Sequence, residues 1–269
     1  MKSLCARYGV SRAAFYAWKR RGVSVHTNRD HVLLCRIKAI FKSSDGTYGS
    51  PRVHAALKSA GEHVSKKRVA RLMKAHGLVG RAGYIYRRAQ GVRHFFAQIP
   101  NQILDRKVTA QNQIWVGDVT YLQCAGRWRY LAIVMDLHSR RIIGWRYGHQ
   151  RDLSLTLGAL NQAVARRKPP SGLTFHSDRG IEYTQFAYQA RLAALGIQQS
   201  AKRPTGFGDN AFIESFFHSM KSDVIRGLRF QNDALLLDVL RRYIRRYNAH
   251  RLHSSLGFKS PIDYEHLAA

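Results

Sequence analysis

Near residue 113 the spacing of apolar residues changes from a helical period to strand alternation. That change confines the chain to a helical part followed by a mixed α/β part. Residues 113–123, 128–137 and 141–147 are rich in β-branched and aromatic side chains and read as three strands. Ala125-Gly126-Arg127 can turn the chain between the first two. A helix over 153–167, a strand over 173–176, a helix over 181–195 and a strand over 197–200 follow. Helices over 210–224 and 232–247 close the pattern. Three meandering strands and then alternating helices and strands predict an α/β fold with a mixed five-stranded sheet and flanking helices.

Before that point the signals are helical. Two short helices fit residues 4–21, with Gly9-Val10 as the turn, Ser11 as N-cap and Phe15 and Trp18 on the buried side. Arg12, Lys19, Arg20 and Arg21 stay outside, and the pair resembles a helix-turn-helix fragment as well as an ordinary helical pair. A second pair fits residues 50–60 and 65–76, stopped by Gly61 and Gly77. In its second helix Val69, Leu72, Met73 and His76 form an apolar stripe, and Lys66, Lys67, Arg68, Arg71 and Lys74 surround it. Five cations on three turns repel one another unless phosphates neutralise them. Residues 1–78 are therefore expected to be an all-α DNA-binding region, 79–110 a basic linker and 111–269 the catalytic part.

Charge supports the division. The chain of 269 residues carries a formal +29, which points to a polyanionic partner, DNA first. Residues 1–110 hold 23 Lys+Arg and 4 acids, whereas 111–269 hold 22 and 12. A nearly pure cationic grip precedes a part that keeps its carboxylates. Three scattered cysteines (Cys5, Cys35, Cys124) predict a reducing compartment and neither a disulfide framework nor a zinc site. No apolar run is long enough for a membrane span, and the start lacks a secretory signal, so a cytoplasmic, nucleoid-associated protein is expected.

The acids of the second part fall at telling places. Asp118 lies within the first strand, Asp178 ends the fourth, and Glu214 sits one turn into the helix from 210. In that helix Ile213, Phe216, Phe217 and Met220 form the buried stripe, while Asn210, Glu214 and Lys221 share a neighbouring face. From there a carboxylate can look across the sheet end toward Asp118 and Asp178. Three converging carboxylates in a basic protein suit Mg²⁺, which takes oxygen ligands and leaves positions for water and phosphate. Two such ions about 3.5–4 Å apart can serve the attacking and leaving oxygens of a phosphodiester.

The neighbourhoods of these acids also carry a resemblance. Trp115-Val116-Gly117-Asp118-Val119-Thr120-Tyr121, His176-Ser177-Asp178-Arg179-Gly180 with Tyr183, Asp209 to Phe217, and the tail Tyr247-Asn248, Arg251, His253-Ser254, Leu256 and Pro261 resemble the DDE transposase and retroviral-integrase superfamily. Within it the chain is similar to bacterial insertion-sequence transposases of the second-reading-frame, OrfB type. Tyr48-Gly49-Ser50-Pro51-Arg52 and Arg71-Leu72-Met73 are similar to the helical domain of those proteins. The resemblance implies an RNase H-like fold, with Asp118, Asp178 and Glu214 as the metal-binding catalytic triad. It implies Mg²⁺-dependent cutting at element ends, with Mn²⁺ as a substitute, and strand transfer by a 3′-OH into target DNA. One departure stands out: Gly208 occupies a position where relatives carry a Tyr. A homo-oligomer on two DNA ends is expected, with no membrane partner, and the abrupt start suits a longer fusion with an upstream frame.

Other residues have plainer readings. Asp136 is expected to pair with Arg140 or Arg141, Asp209 to cap the Glu214 helix, and His176, Trp115, Trp128 and Trp145 to pack. Asn210 and Lys221, with Lys66, Lys67, Arg71, Lys74, Arg12 and Lys19, are candidate DNA contacts. Tyr247, Asn248 and His253 approach DNA or lock the tail onto the sheet. A non-catalytic DNA-binding regulator and a nuclease without strand transfer are the alternatives. A tyrosine recombinase is disfavoured because His138-Ser139-Arg140-Arg141 lies between strands.

Overall fold

A computed structural model describes residues 2–20, 25–81, 99–104, 106–203 and 210–267. The chain divides into two units, Met1–Arg81 and Ala82–Ala269.

In the first unit α1 (Lys2–Arg7) turns at Gly9, whose φ of +62° suits glycine. The Ser11 hydroxyl then accepts a hydrogen bond from Ala14 N at 3.1 Å and starts α2 (Arg12–Arg20). The buried side expected for α2 is not there: Phe15 is half-buried and Trp18 is 67% exposed. A nine-residue helix has too few neighbours here to cover both rings. Sequence reading left α3 (Val25–Ser43) unassigned, although Leu33, Leu34 and Ile37 have helical spacing and form its buried face. Helix α3 packs on α4 (Ser50–Ser59), which buries Val53 and Leu57, and on α5 (Lys66–Ala75), which buries Val69, Leu72 and Met73. Ser65 caps α5, accepting from Arg68 N at 3.2 Å. His76 is the exposed C-cap and not the fourth member of the stripe, because Leu78 N closes back onto Met73 O.

The expected linker over 79–110 is shared out. Arg81 N bonds Gly46 O in the first unit, whereas Ala201 N donates to Pro100 O and Gln102 N to Ser200 Oγ in the second. Residues 82–98 lie outside the described residues.

The second unit is built on a sheet of order β3-β2-β1-β4-β5. Strands β1 (Ile114–Cys124), β2 (Arg127–Asp136) and β3 (Ile142–Gly148) are antiparallel neighbours. Their first hairpin turns through Ala125 and Gly126, both with φ above zero, and Cys124 opposes Arg127. That pairing of two left-handed residues matches the right-handed twist of the strands. Strands β4 (Thr174–Ser177) and β5 (Gln198–Ala201) run parallel to β1.

Each face of the sheet has its own core. On one, Trp115, Val134, Ile143 and Phe175 pack with α6 (Leu153–Arg167) and α8 (Phe186–Ala194). On the other, Ile114, Val116, Leu131 and Ile133 pack with α9 (Ala211–Met220) and α10 (Asp233–Ala249). Asp152 caps α6 and Asn232 caps α10, each accepting from the third residue on at 2.9 Å. The helix expected over 181–195 divides at Gln185, which is extended (ψ 141°), into α7 (Ile181–Thr184) and α8. The helix expected over 210–224 ends in a π turn, Lys221–Ile225. This turn puts Asp223 inside, where it accepts from the Tyr243 hydroxyl at 3.0 Å and pairs with Arg251.

The tail locks onto the sheet. Asn248 both accepts from Ile142 N and donates to Ile142 O at 2.9 Å. Glu265 of α11 (Pro261–Leu267) accepts from Ser139 Oγ at 2.7 Å and pairs with Arg141 and Arg167. Trp115 is fully buried, but Trp128 is 51% exposed and not core, because it stacks edge-on against the exposed Tyr121 near the hairpin end.

Strand β3 lies so near α6 that a Cβ on Gly144 would sit 2.2 Å from Ala159 O. Gly144→Ala is expected to cost about 1–3 kcal/mol, as overpacked cores do, read by urea unfolding.

Candidate active site

The site begins with a register. In the parallel pair β1–β4, Val116 lies beside His176 and Gly117 beside Ser177. The pairing ends there, and Asp118 and Asp178 are the next residue of each chain segment. Alternation gives Asp118 the face of Val116 and Thr120, which is the face that α9 covers. Asp118 is 4% exposed, and its Oδ1 accepts from Val119 N at 2.8 Å. Asp178 is partly buried, and its Oδ1 accepts from Gly180 N at 3.0 Å. Each carboxylate is thus fixed through one oxygen by backbone.

Glycine at 117 is a packing requirement. A Cβ there would lie 2.5 Å from Phe175 Cζ and 3.4 Å from the Tyr183 hydroxyl. Tyr183 fills this space at 2% exposure. Burial, reinforced by the charges of Asp118, Asp178 and Glu182, raises its pKa well above the usual phenol value. It is a neutral hydroxyl beneath two acids.

A cation stands near them. Arg151 donates from Nε at 2.8 Å and approaches from Nη2 at 2.6 Å to Glu182 Oε1. Burial opposes the charge on Arg151, but Glu182, Asp178 and Asp118 together hold its pKa above the ordinary arginine value. Glu182 is 1% exposed, and its Oε2 has no hydrogen-bond partner. Sequence reading passed over both residues. The clue to Glu182 was an acid between Ile181 and Tyr183, directly after a strand end.

Glu214 lies in the first turn of α9, held by Ile213, Phe216, Phe217 and Met220 in the core. Lys202, one residue beyond β5, brings Nζ to 3.5 Å from Glu214 Oε1. The structure therefore places Asp118 and Asp178 together and Glu214 on the facing helix, with a lysine at its side. Among the described residues no three His, Cys, Asp or Glu side chains are close enough to hold a metal ion. Asp209 and residues 204–208, with Gly208, lie outside the described residues.

The other candidates are distributed as follows. Asp136 is fully buried and accepts from Asn112 N at 2.7 Å, His138 N at 2.9 Å and Ser139 N at 3.2 Å. Its partners are backbone amides, one just before β1 and two at the β2–β3 turn, and not the expected arginine side chains, and burial raises its pKa. His176 is fully buried, 2.9 Å from Ser200 Oγ, and packs. Lys221 Nζ stands 4.4 Å over the Tyr121 ring. Asn210 is 3% exposed, and its Oδ1 has no hydrogen-bond partner. In the first unit Lys66, Lys67, Lys74, Arg12 and Lys19 are exposed. Arg71 is tied instead to Asp30 Oδ2 at 2.6 Å, and Arg68 to Asp30 Oδ1 at 2.7 Å. These bonds, Arg71 first, lower the Asp30 pKa. The aspartate belongs to α3, the helix that sequence reading missed.

Comparison with known proteins identifies the family. An integrase core domain family matches residues 108–205 and a second one 195–261, while an HTH-like domain family matches 27–88. The chain is 34% identical to the transposase for insertion sequence element IS904 of Lactococcus lactis, over 87% of this chain and 93% of that protein. It is 33% identical to transposase InsF for insertion sequence IS3A of Escherichia coli, over 98% of this chain and 93% of that protein. Its fold is similar to that of a chain in the simian T-cell lymphotropic virus intasome in complex with PP2A regulatory subunit B56 gamma, with a TM-score of 0.50 at 18% identity, covering 79% of this chain and 70% of that one. The sheet and its helices are RNase H-like, preceded by an HTH-like helical unit.

Removing the Glu182 charge leaves Arg151 without its partner. Glu182→Gln is expected to destabilise the second unit by about 2 kcal/mol, less than a fully buried pair because Arg151 is partly exposed. Chemical denaturation measures this loss.

Proposed function

We propose a chemistry for this chain from one premise: it belongs to the family of bacterial insertion-sequence transposases with an integrase core. As a DDE-type DNA transposase it acts on phosphodiesters. We assign the reacting site to Asp118, Asp178 and Glu214. The observation that supports this assignment is the β1–β4 register, which sets two carboxylates on the one sheet face that α9 covers.

The donor set fits a hard cation. Asp118 and Asp178 offer oxygens only, and backbone amides fix one oxygen of each. Asp118, Asp178 and, once it leaves Lys202, Glu214 would hold Mg²⁺, with Mn²⁺ as a substitute. Two such ions, when bound, supply Lewis-acid help to the attacking and leaving oxygens of an in-line displacement.

The protein's own groups do the rest. The backbone amides of Val119 and Gly180 orient the two aspartates. Arg151 lowers the repulsion between them before DNA arrives. Cutting at an element end forms a P–O bond to a water oxygen as a P–O3′ bond breaks, which leaves a free 3′-OH on one side and a 5′-phosphate on the other. In strand transfer that 3′ oxygen bonds to a target phosphorus as another P–O3′ bond breaks, and the attacking hydroxyl's proton passes to solvent. Because two ends must join, the working form is an oligomer on DNA. Lys66, Lys67 and Lys74 of α5, with Arg12 and Lys19 of α2, are the exposed cations assigned to phosphates, and Arg71 is assigned to holding α5 on α3.

Two measurements test this. In a strand-transfer assay with labelled element ends, Glu214→Gln or EDTA is expected to abolish joining while gel-shift binding persists. Joining that survives either would remove Glu214 or the metal from the mechanism. Binding without joining in the wild type would favour the regulator, and cutting without joining the nuclease. Second, Lys67→Glu with Lys74→Glu is expected to weaken binding and reduce the salt slope by about 0.9 per lost phosphate contact. An unchanged slope would exclude α5 as a contact.

A further inference from the structure

On the α9 face of the sheet, beside the acids, lies a cavity of about 520 Å³. Leu104, Val116, Leu137, Arg140, Phe212 and Leu256 are among its walls, and it opens past the exposed Leu104, Phe212 and Ser255. Val116 is two residues before Asp118, about 7 Å along the strand. Asn210 is one helical turn before Glu214, about 6 Å along α9. The cavity therefore adjoins the acidic site without including any of its acids.

Its polar groups are unusual for a protein interior. Among the described residues, Arg140 Nε and Nη1, His138 Nε2 and Asn210 Oδ1 are buried without hydrogen-bond partners. Leaving such groups unpaired costs stability, and a polar guest in the cavity would supply the missing partners. Arg140 also holds a left-handed backbone (φ +62°) and lays its guanidinium 3.4 Å from the centre of the Phe212 ring. That conformation closes the β2–β3 turn, where Arg140 N donates to Asp136 O and Asp136 N to Arg141 O, both at 2.9 Å, and so holds the side chain at the cavity wall. Burial lowers the Arg140 pKa, and Asp136 lies below it with its carboxylate already engaged by three backbone amides. No acid lines the cavity among the described residues.

Guanidinium donors on Arg140, an amide acceptor on Asn210, apolar walls and a volume in the ligand range of about 300–1,000 Å³ describe a site for a nucleotide. We propose that this cavity takes one unstacked nucleotide of the DNA strand that passes the acids, with its phosphate on Arg140 and its base among Leu104, Leu256 and Tyr264, which also lines the cavity. The assignment to DNA rests on the transposase reading. A nucleotide reaches a walled cavity only after leaving the stack, so DNA with unpaired nucleotides enters more readily than a blunt duplex.

The test uses the full chain in EDTA, where no chemistry occurs, and fluorescence anisotropy. One labelled duplex carries a short unpaired 3′ extension and the other is blunt. The wild type is expected to prefer the extended duplex by about tenfold, the size of a charge-assisted hydrogen bond. Arg140→Gly is expected to abolish that preference and leave blunt-duplex binding unchanged. Glycine relieves the positive φ, so the melting temperature should not fall. Asn210→Ala is expected to reduce the preference in part. A preference that survives Arg140→Gly overturns the proposal. Competition by inorganic phosphate as strong as that by dAMP overturns the nucleotide assignment. Strand transfer by Asp118→Asn, measured alongside, reports on the acids separately: if it persists, the catalytic assignment fails whatever the anisotropy shows.

Discussion

The parallel register of β1 and β4 is the constraint on which the second unit turns. Val116 beside His176 and Gly117 beside Ser177 leave Asp118 and Asp178 as the next neighbours, on one face. A slip of one residue would turn either acid into the opposite core, against α6 and α8. The register is held from both sides. Phe175 and Tyr183 need the space that Gly117 leaves, and Thr174 N bonds to Gln113 O as the strands begin to pair. Strand β4 is four residues long, so these contacts fix much of its position. The tail adds to this from the far edge, where Asn248 completes the backbone pairing of Ile142 on β3.

Around that register the few acids are divided by task. Asp136, Asp223, Asp233 and Glu265 are structural: they accept from backbone amides or pair with arginines. Glu182 balances Arg151, and Arg151 in turn moderates Asp118 and Asp178. Lys202 stands beside Glu214. A strongly basic chain can thus keep carboxylates close together because its cations are spread among them. The same basicity draws in the DNA that the site acts upon.

Much of this was legible in the sequence. The three-strand meander, the caps Ser65 and Ser11 and the α6 span are local patterns, and they appear where local physics puts them. Asp118, Asp178 and Glu214 stood out because each sits at a defined point of a strand or helix. What escaped depended on distant partners. Helix α3 shows helical spacing only in part, and it is organised by contacts with α4 and α5. Arg71 looked like one of five free cations until Asp30, 41 residues away, claimed it. Trp128 has a core residue's composition, yet the hairpin end carries it past the helices that would cover it. Arg140 and Arg151 are arginines among many in the sequence, and only the folded sheet sets one over Phe212 and the other beside Glu182.

The central claim is that the β1–β4 register and α9 bring three carboxylates to one divalent-cation site. Anomalous scattering from crystals soaked in Mn²⁺ tests it directly, because the ion reports its own position. The expected result is density between the Asp118 and Asp178 carboxylates, with Glu214 turned away from Lys202 toward it, and its loss in Asp178→Asn. Absence of a peak there at saturating Mn²⁺, or a peak that survives Asp178→Asn, would contradict the assignment.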